Sequence, residues 1–189
     1  MFAMFKDASA FNNGARRGES AKPLEWNVSN VSNMKFMFAD ASAFNADISN
    51  WNVSSVKNMD NMFNGAISFN QNIGNWVVSS VMIMSEMFSD AKAFNNGDQL
   101  GVSTKPLLWN VSNVVFMQFM FKGASNFNQN LNSWNVSSVM DMSEMFRDAS
   151  SFNQNLNGWN VSNVKCMETI FDQSGVKAAN NLPTWHNQS

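Results

Sequence analysis

Apolar positions along the chain recur on a fixed beat, marked by Trp26, Trp51, Trp76, Trp109, Trp134, Trp159 and Trp185, with Trp26 to Trp51 as the ordinary step. Two phenylalanine columns keep the same time: Phe5, Phe38, Phe63, Phe88, Phe121, Phe146 and Phe171 in one, Phe11, Phe44, Phe69, Phe94, Phe127 and Phe152 in the other. Twice the interval widens, because eight extra residues stand between Phe11 and Trp26 and between Phe94 and Trp109. The order of one long step and two short ones begins at Phe11 and returns at Phe94, the mark of a duplicated three-coil block. Within a unit, Val56, Met59, Met62, Phe63 and Ala66 fall on one stripe of a 3.6-residue period, with Lys57, Asn58, Asp60, Asn61 and Asn64 opposite. The residue before that valine is Asn30, Ser55, Ser80, Asn113, Ser138 or Asn163, all favoured N-caps, and the pattern predicts a helix of about three turns ending near Gly65 and its equivalents. Trp51 and Val53 alternate with Asn and Ser, the period of a short strand.

One short strand and one short helix cannot close a core alone, but stacked copies bury each other's apolar faces. The expected fold class is therefore α/β, a leucine-rich-repeat-like solenoid of about six to seven 25-residue coils, each a short parallel strand plus a short helix. Residues 1–189 read as a single array: a partial coil at 1–25 with an expanded loop at 13–23, a second expanded loop at 96–106, and a divergent end at 172–189. Phe, Met and Trp columns should fill its interior, and truncating one stacked Phe to Ala should cost about 3–5 kcal/mol.

Composition narrows the functional classes. Charged residues make up 14% of the chain and the net charge is -2, with no basic cluster beyond Arg16 and Arg17, so nucleic acid is not an expected partner. No apolar run reaches the length of a membrane helix, and the opening residues carry no secretory signal pattern. Cys166 stands alone, so no internal disulfide is expected.

The string N-M-x-x-M-F-x-x-A-x-x-F-N-Q-x-I-x-x-W-N-V-S-x-V, seen from Asn58 to Val81 with Val77 in place of the second Asn, resembles the Met-Phe-rich repeats of the BspA-family leucine-rich-repeat surface proteins. The resemblance covers nearly the whole chain. It implies an α/β solenoid on a secreted or cell-surface microbial protein, with adhesion or partner binding as its role and no defined molecular activity.

Most chemistry-bearing residues read as architecture. The Met pairs, such as Met59 with Met62, sit at helical spacing beside Phe and fill the core rather than bind a soft metal. Cys166 replaces Asn58, Ile83, Phe116 and Asp141 of other units, and His186 lies in a polar tail. No Ser-His-Asp or Cys-His arrangement, metal-ligand cluster or phosphate loop occurs, so neither enzymatic activity nor a cofactor or metal is expected. Asn-X-Ser acceptor triplets begin at Asn27, Asn30, Asn52, Asn110, Asn135, Asn160 and Asn187, five of them at one repeat position. The invariant Asn12, Asn45, Asn70, Asn95, Asn128 and Asn153 should bond to the backbone of neighbouring coils.

Two features point outward. If Trp and Val face inward, Asn27, Asn52, Asn110, Asn135 and Asn160, with Ser54, Ser112 and Ser137, line an uncharged hydrogen-bonding face. The expanded loops add Arg16, Arg17, Lys22 and Lys105 on one side of the rod. The expectation is a non-enzymatic scaffold binding a protein or glycan. The alternatives are a structural spacer whose ends associate, a fragment of a longer chain, or a binder of a periodic surface such as ice or insoluble polysaccharide.

Overall fold

Rings stack on rings from one end of the molecule to the other. The computed structural model describes residues 1–17, 19 and 22–188. Gly18, Ser20 and Ala21 of the first expanded loop, and Ser189, which completes the acceptor triplet at Asn187, lie outside the described residues. Coils 1 to 7 are numbered here by their first-column phenylalanine, from Phe5 to Phe171. Inside one coil the two phenylalanines lie face to face, as for Phe38 and Phe44 at 3.9 Å between centroids and 9° between planes. Between coils the first column continues at 5.7 Å from Phe38 to Phe63 and 5.5 Å from Phe63 to Phe88. The second column keeps 5.7 Å from Phe44 to Phe69. Methionines at 59, 62, 84, 87, 117, 120, 142 and 145 are fully buried around these columns. Burial of each Phe or Met contributes about 1.5–3 kcal/mol, and stacking adds about 0.5–1.5 kcal/mol per aromatic pair.

The expected α/β coil is corrected by the backbone. Among the described residues the only helices are α1, Gly175–Ala178, and a 3-10 helix, Thr184–Gln188, both in the divergent end. No coil contains the predicted helix or strand among the described residues. The stretch from Met59 to Ala66 is instead a run of tight turns. The N–H groups of Met62, Asn64 and Ala66 donate three residues back, to Met59, Asn61 and Phe63, while those of Met59, Asn61, Phe63 and Gly65 donate to Ile83, Ser85, Met87 and Ser89 of the next coil. An α-helix spends its amides internally and could share none of them with a neighbour. Here half of the donors link coils, and the same four-bond ladder recurs from Met34, Met84, Met117 and Met142 onward.

Asn61 and Gly65 both have positive φ, at 57° and 67°, and that alternation interrupts any helix. The same conformation recurs at Asp40, Asp90, Gly123 and Asp148, where Asp, Asn and Gly tolerate it. Gly65 needs its missing side chain for a second reason: a Cβ there would lie 2.3 Å from the Asp40 carboxylate.

The Trp-Asn-Val-Ser stretch forms no strand ladder either. Parallel pairing is confined to single bridges linking Asn33, Asn58, Ile83, Phe116, Asp141 and Cys166 in turn. Side chains hold the rest in register. From Trp51 onward each tryptophan indole N–H donates to a carbonyl of the preceding coil: Trp51 to Leu24 at 2.7 Å, Trp76 to Ile48 at 3.1 Å, Trp109 to Ile73 at 3.0 Å, Trp134 to Leu107 at 2.8 Å, Trp159 to Leu131 at 2.9 Å. Trp185 in the divergent end keeps this habit, bonding to Leu156 at 2.9 Å and stacking on Trp159. Ahead of those acceptor carbonyls in each coil an asparagine ladder runs along the array, in which Asn12, Asn45, Asn70, Asn95 and Asn128 each accept, through Oδ1, the backbone N–H of the next asparagine at 2.7–2.9 Å.

Candidate functional site

The outward Asn and Ser positions are arranged as short closed turns. Asn27, Asn52, Asn110, Asn135 and Asn160 are all exposed, and the Oδ1 of each accepts the N–H of the serine two residues on, Ser29, Ser54, Ser112, Ser137 and Ser162, at 3.1–3.2 Å. In two of these turns, at Ser29 and Ser54, the hydroxyl donates to the same oxygen at 2.7 Å. This Asx geometry makes the turn after Trp-Asn-Val. It leaves the amide NH₂ as the outward donor and spends the carbonyl oxygen locally. The rows are therefore half occupied by their own backbone.

The expanded loops are likewise organised around asparagines. In the second, Asn95 Nδ2 donates to Gln99 and Val102 carbonyls at 2.8 and 2.9 Å, and Asn96 Nδ2 donates to the Lys105 carbonyl at 2.5 Å. Buried Asp98 accepts from the Thr104 and Lys105 backbone at 2.7 and 3.0 Å, from the Thr104 hydroxyl at 3.0 Å and from Gln129 Nε2 at 3.1 Å. Burial pushes its pKa up, but these donors outweigh burial and hold the carboxyl below the ordinary aspartate value. Lys105 lies back over its own loop, with Nζ donating to the Gly97 carbonyl at 2.7 Å and its side chain half-exposed. In the first loop Asn12 and Asn13 make the corresponding bonds to Arg16, Glu19 and Lys22 carbonyls, while the Arg16, Arg17 and Lys22 side chains are exposed. The structure thus leaves three of the four basic residues exposed and holds the fourth, half-exposed, against its own loop.

A different outward surface breaks the repeat. Residues 32, 57, 82, 115, 140 and 165 occupy one place in successive coils, and from Lys57 onward the backbone N–H of each donates to the carbonyl of the one before at 2.8–2.9 Å. The residues there are Ser, Lys, Met, Val, Met and Lys. Met82 and Met140 are 47% and 43% exposed, and beside them on the bridge positions Phe116 is 39% exposed. A separate shallow groove of about 420 Å³ is lined by Ile83 and Phe116, the chain neighbours of Met82 and Val115, together with Phe36, Lys35, Asp60 and Glu86. Lys35 and Asp60 on its wall are paired, and outside the groove Lys122 and Arg147 pair with Glu144 at 2.7 and 3.1 Å. The Lys122 bond, partly offset by desolvation, keeps the Glu144 carboxyl below its usual range.

The periodic reading missed this file because it asks only whether a position faces in or out. The signal was comparative: Met82, Val115 and Met140 stand where sister units carry Ser32, Lys57 and Lys165. Cys166 is half-buried at the bridge position. His186 packs edge-on against Phe171 and Trp185, at 5.5 and 6.4 Å, so it joins the end of the core rather than a solvated tail. Among the described residues no group of three His, Cys, Asp or Glu could hold a metal, and no helix is long and apolar enough to cross a membrane.

Fold and surface together define a repeat protein with a uniform aromatic interior and a varied exterior. The chain belongs to a family described as Mycoplasma protein of unknown function, DUF285, whose model matches residues 1–107 and again 102–189. No curated protein and no solved structure matches it.

Proposed function

We propose that the chain is a non-enzymatic scaffold that binds a partner protein, on a secreted or cell-surface protein as the resemblance to BspA-type repeats implies. The observation that carries this reading is the contrast between a core repeated almost without change and an outer file whose middle rungs alone are apolar, Met82 and Met140 exposed and Val115 half-buried. Scattered exposed apolar side chains need no explanation, whereas a contiguous file rimmed by polar groups marks an interaction surface. A protein partner is favoured over a glycan or a periodic lattice because the Asn rows keep their carbonyl oxygens for their own turns, while the file offers apolar contact. A ladder of backbone and aromatic bonds gives such a file a rigid backing, which lowers the ordering cost of binding.

The test is an array of purified extracellular proteins and glycans probed with the folded chain. Saturable binding to one or more proteins, lost when the chain is unfolded by denaturant, is the expected result. Binding confined to glycans would overturn the choice of partner class, and no saturable binding to either would overturn the scaffold reading.

A further inference from the structure

The file at residues 57, 82, 115, 140 and 165 says more about what it takes. Its three central side chains are apolar and its two ends are Lys57 and Lys165, both exposed. Neither lysine forms an ion pair among the described residues. Rungs joined by backbone bonds are about 4.8 Å apart, so the apolar run spans about 10 Å and the two lysines stand about 19 Å apart. A second copy of the chain is a poor occupant. Laid antiparallel about Val115, it would set Lys57 against Lys165 at both ends, and laid parallel it would set each lysine on its twin.

Resting on the binding reading above, we propose that this file takes an amphipathic helix of a partner protein, with a short apolar stripe bracketed by carboxylates. Spacing selects the helix. Side chains at i, i+3 or i+4, and i+7 of an α-helix cover about 10.5 Å, close to the 10 Å between Met82 and Met140, so one side chain meets each rung. An extended strand presents one face every ~6.8 Å and would slip out of step by the third rung. Acidic residues one turn beyond either end of the stripe lie about 22 Å apart, within reach of two flexible lysine stems. Methionine on two rungs suits an apolar seat that adapts to the side chain it receives.

The probe is a synthetic alanine-rich helix bearing leucine at i, i+3 and i+7 and glutamate one turn beyond each end, with a control carrying lysine in place of glutamate. The readout is methionine methyl NMR of the intact chain. Met82 and Met140 are the exposed methyls on the file, whereas the core methionines are sealed. Saturable shifts at those two methyls are expected, about tenfold tighter with the glutamate-ended helix than with the control, as two exposed charge pairs allow. The Lys57→Glu, Lys165→Glu double variant, altered only at exposed positions, should prefer the lysine-ended helix instead. Equal binding of the two helices, no binding of either, shifts confined to other residues, or shifts that grow with protein concentration before any peptide is added would each overturn the proposal. The array experiment would still report whether the chain binds through another face.

Discussion

The loop that follows Asn95 and the loop that follows Asn12 are equivalent insertions, one in each copy of the three-coil block, with Asn-Asn, Gly, Lys-Pro and Leu at matching places. Among the places where they diverge, three belong to one network. Where the second loop has Asp98, Thr104 and, on the next coil, Gln129, the first has Ala15, Ala21 and Ala46. Both loops keep the asparagine bonds that close them, Asn12 to Arg16 and Glu19 carbonyls in one and Asn95 to Gln99 and Val102 carbonyls in the other. Only the second adds a buried carboxylate with its donors, and Gln129, fully buried, ties it to the coil that follows. Loop closure needs the asparagines. The aspartate network is a second layer that turns an insertion into part of the wall.

The largest break in that comparison should come from Asp98→Ala. It removes a buried acceptor and leaves the Thr104 and Lys105 backbone amides without their partner, while Gln129 keeps its bond to the Asn95 carbonyl, at a cost of about 3 kcal/mol in urea unfolding. Ala15 already lacks such a group, so Ala15→Gly in the first loop should cost well under about 1 kcal/mol. The pH profile sharpens the point. A folded pKa below the unfolded one means the contribution of Asp98 is fully present above about pH 4, the unfolded aspartate range, and is lost as pH falls through the lower folded value. Asp98→Asn should therefore flatten part of the acid limb of a stability-versus-pH curve. An unchanged limb would show that the network carries no charge-dependent share.

Much of this was legible in the sequence, and the rest was hidden for identifiable reasons. The Trp, Phe and Met columns name the buried residues because a fixed repeat forces like onto like, and Trp51, Phe63 and Met62 sit inside as the spacing requires. The helix was a misreading of the same spacing: inward positions at i, i+3, i+4 and i+7 suit a chain of tight turns as well as an α-helix. A clue lay in the column Asp40, Gly65, Asp90, Gly123 and Asp148, residue types that accept positive φ, which resembled a helix end when seen one unit at a time. No clue lay at Phe36, Glu86, Phe119 or Glu144, which take positive φ between 52° and 58° because the ladder to the next coil imposes it. Of the outward residues, exposure of the Asn row followed from the alternation, but the capture of each Oδ1 by its own serine is a turn property that a strand reading conceals.

A smaller effect separates the two loops through Gln129. Its Nε2 serves the Asn95 carbonyl at 3.0 Å as well as Asp98, whereas its own Oε1 is buried without a partner. Gln129→Ala deletes a shared donor and an unsatisfied acceptor together, so the two consequences oppose each other and a net loss of about 1 kcal/mol is expected. The double-mutant cycle with Asp98→Ala isolates their coupling: a combined loss smaller than the two single losses added would place both in one network, and simple additivity would separate them.

The finest distinction is one of local opening rather than of global stability. Thr104 and Lys105 amides donate to a buried carboxylate, while Lys22, the equivalent of Lys105, has no such acceptor among the described residues, its loop carrying Ala15 where the other carries Asp98. Hydrogen exchange reads this difference directly, because an amide exchanges when its local bond opens. The Lys105 amide should exchange at least about tenfold more slowly than that of Lys22, the equivalent of one charge-assisted hydrogen bond. Ala15→Asp tests whether the carboxylate alone transfers that protection. With Ala46 in place of a glutamine donor on the following coil, the new carboxyl would meet the loop's own amides but nothing on the neighbouring wall, so slower exchange at Lys22 with no gain in overall stability is the outcome expected.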